Sequence, residues 1–68
     1  MSDFIKRLEN ELNELNEKLD KLTVFIGTGN FDKLSVQHQK LLLSQQSTMA
    51  RYSNILSDRL NLSKEEDK

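Results

Sequence analysis

The chain has 68 residues, ten Lys/Arg against eleven Asp/Glu, a formal net charge of −1 and no cysteine, so it holds one domain at most, and disulfides and thiolate metal sites are excluded. Charge is scattered along the chain with no basic block to grip a phosphate backbone, which argues against DNA binding, and a single histidine, His38, argues against a conventional zinc site. Apolar runs of three residues such as Leu41–Leu43 fall far short of the roughly 20 residues a membrane span needs, and "MSDFIKRLEN" has no signal-peptide core, so an intracellular protein without a membrane segment is expected.

From the N-terminus, Ile5, Leu8, Leu12, Leu15, Leu19, Leu22 and Ile26 recur at alternating spacings of 3 and 4, with Glu, Asn, Lys and Asp between them. This is a coiled-coil a/d stripe, and it predicts a helix over about residues 3–26, some 36 Å long. Ser2 or Asp3 is the expected cap, after a short N-terminal extension. Gly27 and Gly29, with their tolerance of positive φ, should stop the helix, and residues 27–35 should form a turn. "NFDKL" fits one helical turn capped by Asn30, folding Phe31 and Leu34 down over the hairpin end. Ser35 is the expected cap of a second helix over about residues 36–62, and the charged residues 63–68 read as a frayed tail.

The second helix carries two lines. One runs His38, Leu42, Gln45, Met49, Tyr52, Leu56, Arg59, and the other Leu34, Leu41, Thr48, Ile55, Leu62. A two-helix hairpin needs only one. The surplus implies a second packing surface, and a chain this small gains stability by self-association. The expected fold is therefore an all-α antiparallel two-helix hairpin over residues 1–62, assembling into a homo-oligomer.

No catalytic constellation is visible: "GTG" at 27–29 lacks the ending of a phosphate loop, and His38 has no recognisable nucleophile beside it. Binding rather than catalysis is the expected activity, with no metal and no cofactor. Phe4, beside Lys6 and Arg7, offers an aromatic plate next to cationic groups, which suits a flat anionic ligand; packing against another subunit is the plainer role for that ring. On the residues alone, a coiled-coil assembly or adaptor protein without a small ligand explains the same leucine faces.

The segments "KLTVFI" at 21–26, Phe31 and Leu34 in the turn, and "LLLSQQSTMARYSNILSDRL" at 41–60 resemble the small phage hairpin proteins that act as anti-CBASS sponges for cyclic oligonucleotides. The resemblance runs from Phe4 to Arg59. It implies a homohexamer without enzymatic activity that soaks up the cyclic nucleotides of bacterial immunity in the cytoplasm of the infected host. It further implies a cyclic dinucleotide pocket between paired protomers, with Phe4 stacking on a base, Lys21 on phosphate and Arg7 assisting. A second pocket, where three protomers meet, would hold a cyclic trinucleotide through Thr23 and Arg59; an ion pair with an acid of another chain is the alternative role for Arg59. The family often has Tyr where this chain has Phe4, so stacking is kept while a hydroxyl contact is lost. A related hairpin in Thoeris anti-defence proteins traps cyclic ADP-ribose isomers, which similar pockets would accept.

Overall fold

The structure is a computed structural model describing residues 2–66. Two long helices, α1 (Ser2–Ile26) and α3 (Val36–Glu66), pack lengthwise, with a single turn, α2 (Gly29–Asp32), between them. Four cross-helix contacts make the pair antiparallel, since the first of them on α1 falls last on α3 and the last on α1 falls first on α3. They join Glu9 to Lys64, Glu11 to Tyr52, Asn16 to Ser53 and Thr23 to Gln46. Their spacing sets Leu8 level with Leu60, Leu12 with Leu56, Leu19 with Met49 and Ile26 with Leu42, whereas Leu15 faces Ser53 and Leu22 faces Gln46.

The leucine stripe of α1 lies inward as its periodicity predicts: Leu8 is buried, and Ile5, Leu12, Leu15, Leu19, Leu22 and Ile26 are half-buried. Neither of the two lines of α3 faces inward as a whole. Leu42, Met49 and Leu56 do face α1, and Leu56 is fully enclosed at 0% exposure. Their seam partners are Gln39, Gln46, Ser53 and Leu60, while His38, Gln45, Tyr52 and Arg59 turn outward. The sequence permits either completion, since both sets lie three or four residues from the leucines. Short or unbranched side chains that reach Asn16 and Thr23 fit between two close helices, whereas an inward Arg59 would lose its hydration without a counter-charge.

The turn also departs from expectation. No glycine has positive φ. Instead α1 ends in tightened bonds one residue shorter than helical, Gly27 N–H to the Val24 carbonyl at 3.1 Å and Thr28 N–H to that of Phe25 at 3.0 Å. The Thr28 hydroxyl donates to the same Phe25 oxygen at 2.7 Å. That commitment explains why Thr28, the cap residue of α2, makes no side-chain cap bond, and Asn30 lies inside α2 rather than capping it. Phe31 is buried and meets Phe25 edge-on, centroids 6.4 Å apart, and Leu34 is half-buried beside it.

The amide of Gln39 is shared among the carbonyls of Phe31, Leu34 and Asp32, at 3.1, 3.0 and 3.4 Å. It therefore closes α2 and ties it to α3. Ser35 caps α3 as expected, its Oγ accepting from His38 N–H at 3.1 Å.

Both ends of the hairpin extend further than the sequence suggests. Ser2 is already helical in place of an N-terminal extension, and α3 runs to Glu66 rather than ending near Leu62. Continued pairing with α1 supports that last turn, because Ser63 stays half-buried in the seam and Lys64 Nζ lies 3.7 Å from Glu9. Residues 67 and 68 of the expected tail, and Met1, lie outside the described residues. The result is a rod with Cα extents of 50 × 14 × 13 Å and a radius of gyration of 15.4 Å, where a compact domain of this length has about 11 Å. Its surface, 5367 Å², exceeds the roughly 4,400 Å² of a compact monomer of the same mass.

Candidate functional site on the flanks of the hairpin

Two helices pack through one seam and leave two flanks, one on each side of it. On the first, α1 carries Phe4, Arg7, Glu11, Glu14, Lys18, Lys21 and Phe25 at alternating spacings of 3 and 4, immediately beside the leucine stripe. The adjoining line of α3 is Leu41, Gln45, Thr48, Tyr52, Ile55, Arg59 and Leu62, again alternating 4 and 3. Tyr52 Oη donates to Glu11 Oε1 at 2.5 Å and so joins these two lines into one face. It is partly greasy: Leu41 is 69% exposed, Ile55 49% and Leu62 56%. On the second flank lie Glu9, Asn16 and Thr23 of α1, with Leu43 and Lys64 of α3. The remaining side of α3, Lys40, Ser47, Asn54 and Asn61, is polar and exposed throughout.

Phe4, Arg7, Lys21 and Arg59 therefore share the first flank, and Thr23 stands on the second. All five are exposed. Arg7 is one turn from Glu11, and Arg59, two turns from Tyr52, is near enough for its charge to act on the Tyr52 phenol. Phe4, Arg7 and Arg59 thus gather toward the open end. Lys21 sits seventeen residues from Phe4, about 25 Å along α1. Thr23 bonds across to Gln46, thirteen residues and about 20 Å from Arg59. One copy of the hairpin brings neither Phe4 to Lys21 nor Thr23 to Arg59. A rod two helices thick also has no depth in which to bury most of a nucleotide's surface. Any enclosed site made from these residues needs more than one copy.

The family comparison bears directly on residues so arranged. The Sequestin family model matches residues 2–62, the whole of α1 and the turn and most of α3. The chain belongs to the Sequestin family. No curated protein and no solved structure matches it. The family name denotes sequestration, that is, binding that withholds a ligand. Among the described residues of this Sequestin-family hairpin, no helix is long and apolar enough to cross a membrane. Nor do any three or more His, Asp or Glu side chains stand together to hold a metal ion.

Sequence reasoning missed the polar links that hold the flanks. Gln46 and Ser53 belong to neither line read from the sequence of α3; the signal available was their heptad spacing from Gln39 and Leu60. Tyr52 shares a line with Leu42, Met49 and Leu56, yet its phenol works at the surface. Its pKa is raised above the ordinary tyrosine value, first by the hydrogen bond to Glu11, then by desolvation and by the Glu11 charge, while Arg59 pulls the other way. With a raised native pKa, this contact contributes stability below pH 10 and loses it as pH rises through the native value. Tyr52 is the only tyrosine and there is no tryptophan, so phenolate absorbance reports it alone. Its titration is expected above that of free tyrosine, near 10, and to fall back in Glu11→Ala. Identical curves for the two proteins would mean that the bond is not populated in solution.

Proposed function

We propose that this protein is a phage immune-evasion sponge that sequesters cyclic dinucleotide and cyclic trinucleotide messengers of bacterial CBASS immunity and does not cleave them. The observation that carries the reading is the Sequestin match over residues 2–62. It falls on a chain whose Phe4, Arg7, Lys21, Thr23 and Arg59 side chains are all exposed. The working unit is a homo-oligomer, a hexamer by resemblance, built where the exposed apolar line of α3 meets another copy. Burying Leu41, Ile55 and Leu62 there supplies what the hairpin lacks alone, since its own core encloses only Leu8, Phe31 and Leu56 among the described residues.

In this reading the dinucleotide lies between paired copies, placing Phe4 and Arg7 of one hairpin near Lys21 of the other. Antiparallel pairing of two rods provides that, because it brings the open end of one to the turn end of its neighbour. The trinucleotide lies where Thr23 and Arg59 of different copies converge. With a net charge of −1 the protein does not attract anions globally; affinity comes from stacking and paired charges in enclosed seams. The host cytoplasm is where such ligands are met.

A thermal-shift panel of cyclic di- and trinucleotides and cyclic ADP-ribose isomers tests this. Melting should rise with at least one cyclic nucleotide, and chromatography of ligand released by heating should return it intact. A flat panel sinks the reading, and a cleaved ligand would make the protein an enzyme. The exposed line on α3 also favours a second reading, an adaptor that docks a partner helix; a flat panel with a stoichiometric complex of defined composition would support it.

A further inference from the structure

We propose that Gln46 is a positioning residue, holding the Thr23 hydroxyl so that it donates outward to an anionic oxygen of a bound cyclic trinucleotide. The inference rests on the proposed trinucleotide role of Thr23 and adds the group that orients it. Gln46 Nε2 donates to Thr23 Oγ1 at 3.0 Å. An amide N–H only gives, so the bond occupies a lone pair of the threonine oxygen and leaves its proton unspent. Helical threonines commonly spend that proton on the carbonyl one turn back. Thr28 makes such a local bond to Phe25, whereas among the described residues Thr23 makes none. Its hydroxyl is thus an acceptor on the inner side and a donor on the outer side. A phosphate oxygen is the complement of such a group, since it accepts and does not donate.

The placement of Gln46 fits this role. It is half-buried in the seam, level with Leu22, where a leucine would pack better and a polar group needs a reason. Its stem is held between the helices and its head reaches the second flank, so the donor is fixed before any ligand arrives, which lowers the ordering cost of binding. One heptad along, the Ser53 hydroxyl donates to Asn16 Oδ1 at 2.6 Å. That bond is a comparable cross-helix link on the same flank, away from Thr23, and it supplies the control.

Calorimetry on the full chain with 3′,3′,3′-cyclic tri-AMP as probe tests the assignment. Gln46→Leu is expected to weaken binding at least tenfold. Gln46→Glu should weaken it as much or more, because a carboxylate accepts from Thr23 and turns its proton inward. Ser53→Ala should leave affinity unchanged while altering melting about as much as Gln46→Leu does. Cyclic di-GMP affinity should be the same in all of them. The deciding comparison is a double-mutant cycle: in a Thr23→Val background, Gln46→Leu should cause no further loss. Wild-type affinity in Gln46→Leu, or additive losses in the cycle, would overturn the positioning role while trinucleotide binding stands. Failure of the wild-type protein to bind the trinucleotide would overturn the Thr23 site itself, and this role with it.

Discussion

Replacing Ile55 by aspartate is expected to dissociate the assembly and abolish ligand capture while leaving the hairpin helical. Ile55 is half-exposed in the single hairpin, midway along the outward line of α3 between Tyr52 and Arg59. If this line is where copies meet, burying the exposed half of Ile55 contributes about 0.7–1.5 kcal/mol to association. An aspartate there forfeits that and adds the cost of an unpaired buried carboxylate, about 1–3 kcal/mol or more. Each interface should weaken by at least tenfold. Asn54→Asp adds the same charge one residue away, on the polar side of α3 with Lys40, Ser47 and Asn61, and should change nothing. Light scattering reads the mass, circular dichroism the helix content, and calorimetry the ligand. If Ile55→Asp keeps the wild-type mass and affinity, the outward line is not the interface, and the binding sites are built elsewhere.

This experiment depends on a feature that was only half legible in the sequence. In α1 one apolar line has one destination, so Ile5 to Ile26 could be placed on the seam from spacing alone. In α3 apolar residues occupy two faces, and pattern alone gives no way to divide them. Leu42, Met49 and Leu56 face α1, but the line they form in the sequence also takes in Tyr52 and Arg59, because 4-3 spacing runs equally well in both directions. What breaks the tie is the fit of Ser53 and Gln46 to Asn16 and Thr23, a contact between residues 37 and 23 positions apart. Periodicity within one helix carries no trace of it. The turn was legible in position and not in means: Gly27 and Gly29 mark the reversal, yet closure comes from the Thr28 hydroxyl and the Gln39 amide, whose neighbours only the fold reveals.

Lys21→Ala and Arg59→Ala are expected to separate the two ligand classes. The first should weaken cyclic dinucleotides and spare trinucleotides, and the second should do the reverse. Loss of one partner from an enclosed charge pair costs on the order of 2 to 5 kcal/mol, about 30-fold to several-thousand-fold in affinity. Both side chains are exposed in the hairpin, so neither truncation should disturb folding by more than about 0.5 kcal/mol. The flanks make this a demanding test. Arg59 shares its face with Phe4, Arg7 and Lys21, whereas Thr23, its proposed partner on the trinucleotide, stands on the other face and near the other end. Arg59 can serve with Thr23 only if different copies bring those faces together. If calorimetry instead finds that Arg59→Ala and Lys21→Ala impair the same ligand to a similar degree, the shared flank forms a single site. Arg59 then belongs with Phe4 and Arg7 in the dinucleotide pocket, and Thr23 has lost its counterpart.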